Sequence, residues 1–437
     1  MTAPTATRDW GDKLMAAQVA LRRGELSRAL PLLESIAALD PLAFEPRYLL
    51  AVALQQAGQA ERALIWLREA IALEPRHAEL NLRLAESLAQ VSKFDEAALV
   101  LQAFLKRVPD HAVAWLTLAQ TLDAIGQDDA ATRAGWQAIR SAQAKGQWIS
   151  AATTPPSWHN LVRNWLARVD GVRRQWLMDV LDAQVQTHGR AEMQRFADCI
   201  HHYLGEAPHL GPSDPHQRPK FLYFPHLPGG PYHDPALQPW SGQLVEAWKD
   251  LRAEALRLRE EDTASFEDFL GLSADSDKSA YIGGTGAQPA WDAFFFYRHG
   301  ERYDANHQRA PRTSALLDSI ELCRVPGQAP EICFSVLTPG SHILPHYGTT
   351  NTRLVYHLPL IVPADCALNI VGHGEHAWQE GQPMMFDDTF RHEAWNRSGQ
   401  TRIVLLMDCW NPHLTAPERS AVLALVGRIS ALEEPPL

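Results

Sequence analysis

The chain has 437 residues, 46% hydrophobic and 21% charged, with a formal net charge of −11. That length predicts two or three domains with sizeable cores. The acidic balance, without any Lys/Arg-rich block, argues against a nucleic-acid partner, because phosphate binding needs a basic face. No apolar run reaches the ~18 residues of a membrane span, so none is expected. Residues 1–9 lack the basic and apolar segments of a signal peptide. Cys199, Cys323, Cys333, Cys366 and Cys409 are odd in number and widely spaced, which predicts reduced thiols in a cytoplasmic protein.

The first third repeats with a period of 34 residues, as the spacing of Pro41, Pro75 and Pro109 shows. Ala17, Ala51, Ala85 and Ala119 keep the same interval, as do Ala29, Ala63, Ala97 and Ala131. Gly24, Gly58 and Gly126 mark a turn inside each unit, with Ser92 in the third. Small alanines let two helices approach, glycine makes the turn and proline stops the second helix. The pattern resembles tetratricopeptide repeats, about four units over residues 10–146, whose groove is expected to take a protein or peptide partner. A scaffold or dimerisation element is the other reading.

Residues 147–207 are expected to form a helical connector, with amphipathic segments at 158–169 and 176–186. His201 and His202 are adjacent on a helix, point in different directions, and are not expected to be a metal pair. A Pro/Gly/His-rich stretch over 208–239 marks a change of architecture, and helix is expected at 242–261. Beyond residue 290, strands are expected at 331–337, 352–362, 366–371, 383–386 and 401–409, rich in Val, Ile, Leu and Phe between Gly, Pro and Asp turns. Many short strands predict a double-stranded β-helix, the jelly roll of cupins, over residues 208–426. The expected fold is therefore a helical repeat solenoid followed by a jelly-roll domain.

His346 and His392, with Arg402 ten residues after the second, carry the candidate chemistry. Neutral imidazoles suit Fe(II) with open coordination positions, and a guanidinium pairs bidentately with a carboxylate. The order matches how a β-barrel oxygenase holds iron and a 2-oxoacid. Asp388 is a candidate to orient a metal-bound water, or else a turn aspartate capping its own backbone; Asp387 reads as a turn residue. His373, Glu375 and His376 look ligand-like but lie in a Gly-rich turn and are expected to be solvated.

The text around these residues resembles the aspartyl/asparaginyl β-hydroxylase family of Fe(II)/2-oxoglutarate oxygenases. It runs Pro339-Gly340-Ser341-His342, Pro345-His346-Tyr347-Gly348, Thr350-Asn351-Thr352-Arg353-Leu354, His357-Leu358, then Phe386-Asp387-Asp388-Thr389-Phe390, His392-Glu393, Trp395-Asn396 and Asp408-Cys409-Trp410-Asn411-Pro412. The resemblance implies a two-histidine iron site, His346 and His392, with water where other oxygenases place an acid; here Gly348 stands at that position. It further implies 2-oxoglutarate held by Arg402 and Ser335 at its distal carboxylate and by His357 near the other, with Arg353, which matches a family arginine, also among the cofactor-binding residues. The family commonly has an arginine where this chain has Val355. The implied activity is hydroxylation of a C–H bond with O2, on an Asp/Asn-type residue of a peptide or protein or on a small molecule or lipid. The alternative is an interaction scaffold whose repeats bind partners while the barrel is inactive.

Overall fold

In the computed structural model, which describes residues 10–40, 42–273 and 276–437, the alanine tracks lie where helices touch. Pro41 and residues 1–9 fall outside the described residues. Eight helices form four hairpins: α1 (Gly11–Arg22) with α2 (Leu26–Leu39), α3 (Phe44–Gln56) with α4 (Ala60–Leu73), α5 (Ala78–Gln90) with α6 (Phe94–Leu105), and α7 (Ala112–Ala124) with α8 (Asp128–Gln143). All eight track alanines are buried, where a larger side chain would hold the helices apart. The turns need a left-handed residue. Gly24, Gly58 and Gly126 have φ of 73°, 71° and 73°, and Ser92 takes the same conformation at 60°.

The chain divides into two compact units, one comprising residues up to Gln175 with Ile429–Leu437, the other Trp176–Arg428. The expected connector is thus shared between them. Its two predicted segments are one helix, α9 (His159–His188), followed by α10 (Gln194–Tyr203). The stretch between them holds no proline, and its one glycine, Gly171, is carried inside the helix, so the helix continues. Within the first unit, Gly135 on α8 makes room for α9: a Cβ there would lie 2.7 Å from the Trp165 ring. His201 pairs with Glu206 and His202 with the Ala207 carbonyl, so the two rings diverge as expected.

The described residues of the second unit form thirteen strands. They are β1 (Tyr232–His233), β2 (Glu267–Asp268), β3 (Ile282–Gly284), β4 (Trp291–Arg298), β5 (Glu301–Arg302), β6 (Ile332–Leu337) and β7 (Ser341–His346). The rest are β8 (Arg353–Ile361), β9 (Cys366–Ile370), β10 (Gly374–Ala377), β11 (Met384–Phe386), β12 (His392–Asn396) and β13 (Arg402–Trp410). One sheet has the order β1-β11-β8-β13-β6-β4-β2, with β5 on β4; the other is β10-β9-β12-β7-β3. From β6 to β13 the chain alternates between the two sheets except at the β9-β10 hairpin, which stays in the second, the path of a double-stranded β-helix. Among the described residues, no helix is long and apolar enough to cross a membrane.

The large sheet is covered on both faces. Phe294, Phe334, Tyr356, Leu405 and Met407 pack outward against Leu251, Ala255 and Leu258 of α12 (Trp248–Glu261), which follows α11 (Ser241–Glu246). Phe295, Cys333, Val404 and Leu406 face Ile343, Leu368 and Ala394 of the second sheet. Double burial explains why β6 and β13 read as continuous apolar runs. The run Ile332-Cys333-Phe334-Ser335-Val336-Leu337 is buried throughout, so its one hydroxyl residue is conspicuous.

Candidate active site

The seven residues singled out in the sequence line one cavity of about 200 Å³ between the two sheets. Strand alternation aims Arg353, Val355 and His357 inward from β8, and Arg402, Leu406 and Asp408 from β13. Ser335 on β6 is paired with Val404, next but one to Arg402.

His346 and His392 are register partners across β7 and β12, with ring centroids 4.1 Å apart. A bulge makes this possible. Ala394 pairs with Ile343 and His392 with His346, so three residues of β7 span two of β12. The extra residue turns both Ile343 and His346 inward, and Pro345 beside it needs no ladder hydrogen bond. Each ring donates its Nδ1–H to a nearby carbonyl, His346 to Leu344 at 2.8 Å and His392 to Phe390 at 2.9 Å. Nε2 is left as the lone-pair nitrogen on both. Burial keeps the rings neutral: it lowers the pKa of His346 and drives that of His392 down to about 3.

Asp388 lies over Gly348. A Cβ on that glycine would sit 2.0 Å from the Asp388 carboxyl carbon, so the missing side chain is what admits the carboxylate. Burial pushes Asp388 up to about 7, and its Oδ1 has no hydrogen-bond partner among the described residues. Gly348→Ala is expected to displace Asp388 at an overpacking cost of about 1–3 kcal/mol. Thermal unfolding of the variant should show a lower Tm, and an unchanged Tm would place Asp388 elsewhere. Asp387 is the turn residue, accepting from the Thr389 backbone N–H at 2.9 Å.

The opposite end is cationic. Arg402 is 1% exposed, lies over the Trp378 ring at 4.7 Å, and has no carboxylate partner among the described residues. Its Nη1 reaches the Ser335 hydroxyl at 3.4 Å, and its Nε is unpartnered. Burial lowers its pKa to about 10. His357 is buried with both ring nitrogens unpartnered, and desolvation, then the Arg402 charge, holds it neutral. Arg353 is tied to its neighbours as well. It lines the cavity, but its Nη1 is bonded to Asp408 at 3.0 Å and its Nη2 to Thr349 at 2.9 Å. Only its Nε is left over for a ligand.

Glu331, Asp408, Trp291 and Phe269 also line the cavity and were not singled out for it in the sequence. Residues 331, 333 and 335 share a strand face, so alternation from Ser335 could have found Glu331. Its Oε1 accepts from the His299 backbone N–H at 2.6 Å, and burial pushes its carboxyl up to about 7 from 4.5. The folded state therefore favours the protonated form. That contribution to stability is complete below pH 4.5 and is lost as pH rises through about 7. Glu331→Gln should accordingly raise Tm relative to the parent at pH 8 and not at pH 4, as read by thermal melts at both. His373, Glu375 and His376 stand outside the cavity; 374–377 form the exposed strand β10 and not a turn.

The arrangement fits a dication and a dicarboxylate. Two neutral imidazole nitrogens face each other beside an unsatisfied buried carboxylate oxygen, and a guanidinium without an acid partner sits at the other end. The sequence model described as aspartyl/asparaginyl beta-hydroxylase matches residues 245–412, and a tetratricopeptide repeat model matches 14–78 and 82–145. The chain is 31% identical over 210 residues to the ornithine lipid ester-linked acyl 2-hydroxylase of Rhizobium tropici, covering 47% of this chain and 69% of that one. It belongs to the aspartyl/asparaginyl β-hydroxylase family. Within that family it is 30% identical over 195 residues to the aspartyl/asparaginyl beta-hydroxylase of Homo sapiens, covering 43% of this chain and 24% of that one. It is 32% identical over 223 residues to aspartate beta-hydroxylase domain-containing protein 2 of Mus musculus, covering 50% and 60%. The chain thus spans only part of those two relatives.

Proposed function

We propose that the chain is an Fe(II)- and 2-oxoglutarate-dependent hydroxylase of a C–H bond, acting on an Asp/Asn-type residue of a peptide or protein or on a related small molecule. The observation that carries this reading is the meeting of His346, His392, Asp388, His357, Ser335 and Arg402 in one cavity. When bound, iron and 2-oxoglutarate supply the oxidation of a C–H bond by O2, with succinate and carbon dioxide as coproducts. His346 and His392 would hold the metal through Nε2. Arg402 and the Ser335 hydroxyl would hold the distal carboxylate, and His357 would meet the other. Asp388 would hold a proton or accept one from water beside the metal. Phe269, Trp291, Phe386 and Leu406 exclude bulk water, which strengthens every charge interaction inside. The test is succinate formation from 2-oxoglutarate with Fe(II), screened against Asp- and Asn-containing peptides, free amino acids and acyl chains. Absence of succinate under every condition would end the reading.

The repeat array is part of the proposal as the element that recruits a protein or peptide. The first helices of its hairpins are joined by polar links, Gln18 to Glu45 at 2.7 Å and Arg83 to Gln55 at 3.1 Å. Arg83→Gln removes a charge from this face without setting a second acid beside Glu79. It should lower kcat/KM on a protein substrate and leave 2-oxoglutarate turnover without that substrate unchanged. Equal kcat/KM would remove this face from recruitment.

A further inference from the structure

The cavity has a second end, away from Arg402. Glu331 leads into β6 beside Asp408, whose backbone N–H donates to its carbonyl at 2.9 Å. Asp408 pairs with Val355 on β8, and Val355 with Phe386 on β11. These four residues form one rung across the large sheet, and all of them line the cavity. The Phe386 ring lies 5.5 Å from that of His392, so the rung borders the two histidines. Ser335 stands four residues further along the strand from Glu331, about 13 Å away.

The charges at this end do not balance. Asp408 Oδ2 accepts from the Glu331 backbone N–H at 2.9 Å and from Arg353 Nη1 at 3.0 Å. Arg353 is engaged in turn by Asp408 and Thr349. Glu331 remains. Its Oε1 accepts from His299, from the backbone N–H at 2.6 Å and from the exposed ring at 2.8 Å. No partner for its Oε2 is found among the described residues. Lys220 is exposed and does not line the cavity. Burial costs the Glu331 carboxylate its hydration, which a cation entering the cavity would replace.

We propose that Glu331 is a specificity-determining residue: its Oε2 selects a substrate that carries an alkylammonium or guanidinium group. Two strand spacings, about 10 Å, separate Glu331 from Val355. The cationic group therefore stands several bonds from the carbon presented to His346 and His392. A lysine or arginine side chain has this chemistry, whether in a peptide or in the free amino acid. The proposal rests on the reading of the cavity as a hydroxylase site using Fe(II) and 2-oxoglutarate.

The test compares compounds that differ in charge and not in length, by succinate formed above the level without substrate. One arm uses Asn-containing peptides with a neighbouring lysine, each against its norleucine counterpart. The other arm uses free lysine against free norleucine. Arginine against citrulline serves the guanidinium in both arms. In the arm that holds the true source, kcat/KM for the cationic member should exceed its partner's by roughly ten- to a hundredfold, the worth of one hydrogen bond to a charged group. Glu331→Gln keeps the shape and should bring the two members level. Glu331→Lys should turn the preference toward a glutamate in the same place. Equal turnover of both members by the parent, or a preference that survives Glu331→Gln, would overturn the proposal. Succinate formation that no cationic compound raises would overturn it as well. A parent that forms no succinate under any condition would overturn instead the reading on which it rests.

Discussion

Replacing His346 or His392 with alanine is expected to reduce Fe(II)-dependent 2-oxoglutarate turnover to the background without protein. Two imidazoles are a minimal ligand set, and no third histidine or thiol is placed beside them among the described residues. Among the described residues there is no group of three or more His, Cys, Asp or Glu side chains that could hold a metal. The rings sit opposite one another across a single strand pair, so loss of either leaves one nitrogen. The fold should tolerate the change, because the bonds found for each ring among the described residues go to backbone groups of its own turn. Succinate assays with circular dichroism on the same samples separate the two effects. A folded variant with full turnover would show that this pair does not hold the iron.

Arg402→Ala should raise the Michaelis constant for 2-oxoglutarate by about two orders of magnitude or more. The guanidinium is buried against Trp378 without an acid partner among the described residues. A dicarboxylate entering the cavity would lose hydration that only this charge replaces. Truncating one side of such a buried pair costs about 2–5 kcal/mol, and each ~1.4 kcal/mol is tenfold. Arg402→Lys keeps the charge and loses the planar fork, so its constant should fall between the two. An unchanged constant in Arg402→Ala would mean that another group holds that carboxylate.

Much of this arrangement was legible in the sequence because its causes are local. The 34-residue alanine and glycine tracks report helix contacts and turns within each hairpin, and even Ser92 adopts the turn geometry its position requires. Strands β6, β8, β9, β11 and β13 were visible as apolar runs, since double burial leaves an unbroken signature. The strands bearing the two histidines, β7 and β12, were not, because they are short, polar and interrupted by Pro345 and a bulge. Glycine at 348 could be read as a missing ligand, but not as the space into which Asp388 folds, which depends on a contact forty residues away. Arg353 shows the same limit. Its inward direction follows from strand alternation, whereas its pairing with Asp408 depends on how β13 lies against β8.

The central claim is that one cavity binds Fe(II) through His346 and His392 together with 2-oxoglutarate. The most direct measurement is visible absorption of the full chain titrated with Fe(II) and 2-oxoglutarate without oxygen, where a chelate of the two gives a charge-transfer band. A saturable band is expected in the parent, lost in His392→Ala and requiring more 2-oxoglutarate in Arg402→Ala. A parent without the band, or a band that persists in His392→Ala, would contradict it.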